Sequence, residues 1–283
     1  MDVSASELRD LNRIANTIRK RVLKMVYLAQ SGHLGGSFSA IEIITALYFR
    51  EMRIDPSDPA RPDRDRFVPS KGHCAPAIYA ALALKGIIAP ADLDGLRQMG
   101  CFLQGHPCMN SVPGIDISTG SLGHGLSVGL GMALGARLTG RDFHTYVLLG
   151  DGELDEGQNW EAAMAAAKFR LSNLTAIVDR NRVQLDGFTE DIMPLEPLAD
   201  KWKAFNWKCL SVDGHDLAAL LETLRKARSS DGPVVVIAET VKGKGVSFME
   251  NSHLWHGKPP TREEYDAAMT ELGGEGEGEV FHA

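Results

Sequence analysis

One stretch, residues 143–187, constrains the fold of this chain more than any other. It holds two short apolar runs, 143–149 and 174–178, each typical of a strand that is buried on both faces of a sheet. Between them, residues 159–169 are rich in alanine and predict a helix. A strand, a helix and a second strand in this order predict two parallel strands with a right-handed crossover. The fold class is therefore predicted to be α/β, with a mostly parallel sheet flanked by helices.

Polar residues follow both of these strands. Gly150-Asp151-Gly152 ends the first strand, and Asn181 follows the second, 181 − 151 = 30 residues after Asp151. The carboxyl ends of parallel strands share one edge of the sheet, where open α/β sheets bind ligands. Carboxylate and amide oxygens suit Mg²⁺ or Ca²⁺, and the glycines leave room for a phosphate. A Gly-Asp-Gly alone is more often a strand-to-helix turn, but the added asparagine favours a ligand site.

Composition and charge narrow the class of protein. The chain has 283 residues and a net charge of −7, which argues against nucleic acid as a partner. An anionic ligand therefore needs a local cation, which a divalent metal would supply. The four cysteines lack metal-binding spacing and indicate reduced thiols in the cytoplasm. No signal peptide is predicted, because the N-terminus lacks the basic and apolar regions of one. No membrane span is predicted, because the longest uncharged run, 117–136, is only weakly apolar.

The remaining pattern predicts one domain over residues 1–270 and a Gly/Glu-rich flexible tail over 271–283. Helices are expected over 4–30 and 39–51, separated by a glycine-rich loop at 31–37. A helix with glycines at 125, 129, 131 and 135 is expected to pack very closely, either inside the chain or at a subunit interface. A basic loop, 242–245, follows a predicted strand over 233–239 and is either solvated or part of the same sheet edge.

Five histidines stand next to glycine, and such loops suit ligand binding. Imidazoles donate to phosphate, hydroxyl and carbonyl oxygens and transfer protons near neutral pH. Each of these histidines taken singly is more often structural, but together with Asp151 and Asn181 they predict one site. The five are His33, His73, His106, His124 and His256.

The segments GDGELDEGQNWEAA and DRNRVQLDG, which begin at Gly150 and Asp179, resemble the transketolase family and its thiamine diphosphate motif. The resemblance extends over residues 31–257. It implies a thiamine diphosphate-binding fold and a bound Mg²⁺, for which Ca²⁺ or Mn²⁺ can substitute. Arg180 departs from the family, which commonly has a second acidic residue there. His124 stands where many members have glutamine, and it is assigned no catalytic role.

The resemblance also implies roles for individual residues. The metal ligands would be the side chains of Asp151 and Asn181 and the carbonyl of Val183. The catalytic residues, which meet the sugar's carbonyl and hydroxyl oxygens, would be His33, His106 and His256. The residues that contact the cofactor or lie near the interface between two cofactor sites would be His73, Gly120, Leu122, Gly150, Asp151, Gly152, Glu156, Glu161, Asn181, Leu185 and His256.

A full transketolase continues with a second domain, which binds the aminopyrimidine ring of the cofactor. The resemblance therefore implies the N-terminal subunit of a split transketolase. The second domain would lie on a separate C-terminal subunit, with two copies of each chain in the assembly. The enzyme would transfer a two-carbon ketol unit from a ketose phosphate to an aldose phosphate.

Other interpretations remain open from the sequence. The chain resembles, less closely, the α subunit of a 2-oxoacid dehydrogenase and 1-deoxyxylulose-phosphate synthase, both thiamine diphosphate enzymes. Residues 31–37 and the His256 loop speak against the dehydrogenase. A protein that binds the cofactor or a partner without turnover is a further alternative. A nucleotide-binding domain is disfavoured, because neither GxGxxG nor GxxxxGK[ST] occurs.

Overall fold

A five-stranded parallel sheet forms the centre of the computed structural model, which describes residues 3–274. The strand order is β1-β2-β3-β5-β4, and every pairing is parallel. The sheet in the described residues is thus wholly parallel, and the predicted α/β class is confirmed. The strands are β1 (Arg66–Pro69), β2 (Thr145–Gly150), β3 (Leu174–Arg180), β4 (Lys208–Asp213) and β5 (Val234–Glu239).

Helices cover both faces of the sheet. In the described residues they are α1 (Ala5–Ala29), α2 (Leu34–Phe38), α3 (Ile41–Ala46), α4 (Ala75–Leu84), α5 (Gly125–Leu138), α6 (Gly157–Phe169), α7 (Thr189–Ile192), α8 (Leu198–Ala204), α9 (Leu217–Arg228) and α10 (Arg262–Glu271). One apolar core lies mainly between the sheet and α1, α3, α4 and α9, and a second lies under α5, α6 and α8. Strands β2 and β3 are buried at every residue, which explains their unbroken apolar sequences. Among residues 3–274, none of the helices is sufficiently long and apolar to pass through a membrane.

Several sequence predictions need correction around the first two helices. The predicted loop 31–37 is largely helix α2, and all five of its residues are buried. Glycines lower helix propensity and therefore suggest a loop, but the glycines of this segment allow close packing rather than a turn. The predicted amphipathic helix 39–51 begins at Ile41, is buried on every side in α3, and continues as a π-helical turn, Leu47–Glu51. Ser39 does not cap it; its hydroxyl donates to Asp179 at 2.6 Å.

The C-terminal part of the chain joins the core further along than the predicted boundary at 270. Helix α10 ends at Glu271, whose carboxylate accepts hydrogen bonds from the backbone and hydroxyl of Ser247. Leu272 is buried. The rest of the predicted tail, 275–283, lies outside the described residues.

The four glycines of α5 divide into two pairs. A Cβ added at Gly125 would lie 2.3 Å from Ser70 Oγ, and one at Gly129 would lie 2.3 Å from Val147 Cγ2. Added Cβ atoms at Gly131 and Gly135 would meet no atom within 4 Å. The first pair therefore lets α5 pack directly on the sheet, whereas the second pair faces away from the described chain.

A buried ion pair closes the carboxyl edge of the sheet. Lys71, which follows β1, reaches across β2 and donates to Asp179 of β3 and, at 2.8 Å, to the carbonyl of Gly36. Both side chains are essentially inaccessible to solvent. Burial alone would raise the pKa of Asp179, but the Lys71 ammonium and the hydroxyl donors around the carboxylate hold it below its ordinary value. The edge is thus built around a pair of charges that depend on each other.

We expect Gly129→Ala to lower the free energy of unfolding by about 1–3 kcal/mol, because the new methyl group would overlap Val147. Gly135→Ala is the matched control in the same helix. It should raise the free energy of unfolding by about 0.5–1 kcal/mol, since it removes glycine's backbone entropy where space is open. Urea unfolding of both variants measures this; equal effects would contradict the packing described for α5.

Lys71→Met should lower the free energy of unfolding by about 3–5 kcal/mol, because it leaves the buried Asp179 carboxylate without its cation. The double variant Lys71→Met/Asp179→Asn should recover part of that loss in the same urea experiment. A Lys71→Met protein as stable as the double variant would show that the pair is not coupled. In the wild-type protein, the lowered pKa of Asp179 means that its contribution is present above pH 3.8 and is lost as the pH falls further.

Candidate active site

Asp151 and Asn181 occupy neighbouring positions at the carboxyl edge. Gly150 pairs with Asp179 in the β2–β3 register, so the residues after each strand meet. The Asp151 carboxylate accepts hydrogen bonds from the backbone N–H of Arg182 and, at 2.8 Å, from that of Gly152. Asp151 is 2% exposed. Burial, and then the charge of Asp179, raise its pKa above the ordinary value. A nearby cation would favour its ionised form.

Arg180, the departure from the family pattern, is buried beside this carboxylate. Its Nη1 donates to Asp151 at 3.2 Å and to the Thr189 hydroxyl at 2.7 Å. Its Nη2 donates to Glu190 at 2.8 Å and to Glu196 at 3.0 Å. One guanidinium therefore ties Asp151 to α7 and to the segment after it.

Lys242 contacts two main-chain carbonyl groups at this edge. Its Nζ donates to the carbonyls of Val183 and Gln184 at 2.9 and 3.1 Å and lies 3.0 Å from Nδ1 of His256. Lys242 is 2% exposed, so this part of the basic loop is not solvated. Burial, followed by the charge of Lys71, lowers its pKa to about 8. The Asn181 amide oxygen accepts from the Val183 N–H at 3.1 Å, which places the predicted metal ligands in one network.

Four of the five glycine-flanked histidines form one cluster. Ring centroids are 5.2 Å apart for His73 and His256, 5.4 Å for His33 with either of these, and 6.0 Å for His33 and His106. Burial is the main cause that lowers the pKa of all four, to about 4 for His33 and about 3 for His256. Their surroundings therefore favour the neutral form of all four imidazoles. His124 is exposed, and its Nδ1 lies 3.2 Å from the Leu122 carbonyl oxygen.

Glycines allow the loops that carry these histidines to interlock. A Cβ at Gly36 would lie 2.9 Å from Nε2 of His73, and one at Gly120 would lie 2.9 Å from Cδ2 of His106. Gly120 also has φ of +136°, which residues other than glycine rarely adopt. Larger residues at these positions would push the imidazoles apart.

The remaining predicted cofactor residues lie on the surface rather than in the cluster. Leu122 is 36% exposed, and Leu185 is 59% exposed. Glu156 and Glu161, at the start and on the outer side of α6, are exposed as well. These four positions are open to a ligand or to another chain.

The sequence did not identify three charged residues of the site as buried. They are Lys71, Glu153 and Lys242, and all are at most 3% exposed. The Glu153 carboxylate accepts from the Ser70 hydroxyl and, at 2.9 Å each, from the backbone N–H groups of Gly123 and Gly150. Its pKa is raised by burial. The available signal was a charged residue shortly after a strand, which does not distinguish a buried side chain from a solvated one.

The residues present fit a divalent metal and a diphosphate. A carboxylate, an amide oxygen and a main-chain carbonyl form the kind of oxygen-donor set that Mg²⁺ prefers. Within residues 3–274, no cluster of three or more His, Cys, Asp or Glu could hold a metal, and the expected set contains only one such side chain. Nδ1 of His33 and the Thr119 hydroxyl are buried with no hydrogen-bond partner among the described residues. Such groups are suited to a polar ligand.

Comparison with known proteins identifies the family. Residues 11–281 match the family model described as the transketolase, thiamine diphosphate binding domain. The chain is 48% identical over 255 residues to one of the subunits of the apulose-4-phosphate transketolase of Phocaeicola vulgatus, with 90% of each chain covered. It is 47% identical over 268 residues to the 6-deoxy-6-sulfo-D-fructose transketolase subunit SqwG of a Clostridium species, covering 94% of this chain and 98% of that protein.

Solved structures agree with this result. The crystal structure of transketolase from Campylobacter jejuni superposes with a TM-score of 0.90 at 32% identity, over 94% of this chain and 43% of that one. The chain thus spans about two fifths of the solved transketolases that it matches. The predicted thiamine diphosphate-binding fold and the predicted N-terminal transketolase type are confirmed. The chain belongs to the transketolase family of enzymes, and it corresponds to that family's thiamine diphosphate-binding domain.

Proposed function

We propose that this chain is the N-terminal subunit of a two-chain transketolase, which moves a two-carbon ketol unit from a ketose phosphate to an aldose phosphate. The observation that carries the proposal is the cluster of four histidines beside the oxygen-donor edge of the sheet. Membership of the family favours this reaction over the dehydrogenase, synthase and non-catalytic alternatives.

In this proposal, Asp151, Asn181 and the carbonyl of Val183 hold Mg²⁺, or Ca²⁺ or Mn²⁺ in its place. Gly150 and Gly152 let the diphosphate approach the backbone. Among the lysines of the site, Lys71 is already neutralised by Asp179, whereas Lys242 contacts only carbonyl oxygens and an imidazole. Lys242 and His73 therefore supply the donors for the diphosphate. When bound, thiamine diphosphate supplies the carbon nucleophile of the reaction.

The histidines orient the sugar and move protons. A neutral imidazole has one N–H donor and one acceptor nitrogen, so it can bind either a carbonyl or a hydroxyl oxygen. The Lys242 ammonium faces Nδ1 of His256, which places the proton of that neutral ring on Nε2. His256 thus presents a donor to the substrate side. His33 and His106, whose rings lie in the same cluster, would complete the set of contacts to the sugar's oxygens.

A second chain would complete the site. Apolar side chains stand exposed on the segment after β3, with exposed fractions of 59% for Leu185, 51% for Phe188 and 55% for Met193. Such exposed apolar side chains are suited to a subunit interface. The relatives from Phocaeicola and Clostridium are named as subunits, which supports a separate C-terminal partner. Two copies of each chain are proposed, with Glu156 and Glu161 near the junction.

The substrate class follows from chemistry that the relatives share. The names of the two related enzymes give apulose-4-phosphate and 6-deoxy-6-sulfo-D-fructose, so each of these sugars carries an acidic group on a ketose. We infer a ketose phosphate for this chain.

All four cysteines are free thiols, which supports a reducing, cytoplasmic location.

Asp151→Ala should abolish Mg²⁺-dependent binding of thiamine diphosphate to the assembled complex, because it removes the one carboxylate of the proposed metal site. Isothermal titration calorimetry, with and without Mg²⁺, measures the affinity. Asp200→Ala, on the exposed face of α8, is the control and should leave the affinity unchanged. Unchanged Mg²⁺-dependent affinity in Asp151→Ala would rule out the metal role.

Co-purification tests the two-chain assembly. The tagged chain, expressed in its native cell and isolated with Mg²⁺ and thiamine diphosphate, should bring down a stoichiometric companion chain, and the pair should catalyse ketol transfer. A chain that emerges alone and transfers no two-carbon unit would refute the split-enzyme proposal.

A further inference from the structure

Arg97 lies between the two loops that carry His33 and His106. Its Nη1 donates to the Ser31 hydroxyl at 2.9 Å, two residues before His33. Its guanidinium packs closely against Gly105, since a Cβ added there would lie 2.3 Å from Nη2 and 2.4 Å from Cζ. One side chain therefore contacts the residues that set the positions of both histidines.

The backbone of Arg97 is itself held in place. Its N–H donates to the carbonyl of Leu103 at 2.9 Å. Its φ is +59°, a left-handed conformation that is uncommon for residues other than glycine. An arginine held in such a conformation indicates that the surrounding contacts determine where the guanidinium points.

No carboxylate in residues 3–274 lies within ion-pairing distance of this guanidinium. Arg64 and Arg180 do have such partners, which are Asp116 and Asp151. The Arg97 Nε is also buried without a hydrogen-bond partner among the described residues. The positive charge is thus uncompensated, and it acts on the two neighbouring imidazoles.

The charges around each imidazole can be named. His33 faces the cations Arg97, Lys71 and Lys242 and the imidazole of His106, and it is in ring contact with His73 and His256. His106 faces Arg97 and His33. For both histidines, burial is the largest cause of a lowered pKa, and Arg97 is the next largest.

We propose that Arg97 is a positioning residue for the sugar. It fixes the spacing of His33 and His106 through Ser31 and Gly105, and its positive charge disfavours a second proton on either ring. A protonated ring offers donors only and could not accept a hydroxyl proton. The inference rests on the proposed function in taking these two histidines to bind the substrate.

The first test follows the imidazole resonances of the intact chain by NMR between pH 3 and 8, in buffer without ligand. In Arg97→Met, the titration midpoints of His33 and His106 should move upward towards the ordinary value of 6.5, because a cation has been removed. Arg141→Met removes an exposed arginine outside the cluster and should leave both midpoints in place. A folded Arg97→Met protein with wild-type midpoints would overturn the electrostatic role.

Arg97→Lys separates charge from geometry and carries the test if Arg97→Met does not fold. It keeps the cation, so the midpoints should stay low, but it loses the planar fork between Ser31 and Gly105. In the assembled complex, kcat/KM for the ketose should fall about 10- to 100-fold, through KM. The dissociation constant of thiamine diphosphate should not change, because Arg97 does not contact Asp151, Asn181 or Lys242. Wild-type KM, or an equal loss of cofactor affinity, would overturn the positioning role.

The titration can fail independently of the proposed function, whereas the kinetic test with Arg97→Lys depends on it. The titration requires no catalysis, so shifted midpoints in a chain that transfers no ketol unit would refute the proposed function and uphold the charge effect. An active complex whose His33 and His106 midpoints do not shift in Arg97→Met would uphold the proposed function and refute the charge effect.

Discussion

The ion pair between Lys71 and Asp179 is the interaction on which the site is built. It joins the end of β1 to β3 across β2, and the Ser39 and Thr240 hydroxyls also donate to the same carboxylate. A buried carboxylate without such partners would be protonated or would destabilise the edge. Asp151 and Lys242 lie beside this pair: in addition to burial, Asp179 raises the pKa of Asp151, which is also paired with Arg180, and Lys71 lowers the pKa of Lys242. The Lys71–Asp179 pair stabilises the sheet edge, whereas Asp151 and Lys242 are the charges that we propose bind ligands.

Partial loss of solvent around the cluster favours the neutral form of the histidines. Four imidazoles within 6.0 Å of their neighbours, beside two buried lysines, would repel each other if protonated. The surroundings resolve this by favouring the neutral rings, which remain able both to donate and to accept. Close approach of the loops is the geometric condition for this arrangement, and glycine at positions 36 and 120 provides it.

The sequence predicted the parts of the molecule that follow from chain topology. The adjacency of Asp151 and Asn181 results from two parallel strands and a crossover, and the apolar runs identified those strands. Lys71 and Lys242 could not be predicted as buried, because lysine is rarely buried and local sequence does not reveal a distant partner. Helix α2 was missed for a related reason: Gly35 and Gly36 lower helix propensity, and only tertiary packing against Lys242 and His73 explains them.

The four glycines of helix α5 are subject to two different constraints. Its inward glycines, 125 and 129, are fixed by the sheet, whatever surrounds the protein. Its outward glycines, 131 and 135, meet nothing in the described chain, so the fold tolerates larger residues there. Any restriction on the side chains at these two positions must therefore come from molecules in the cell that contact this face of the helix. A sequence library randomised at both, sorted once for folding and once for growth, would show directly whether that face is covered in the living cell.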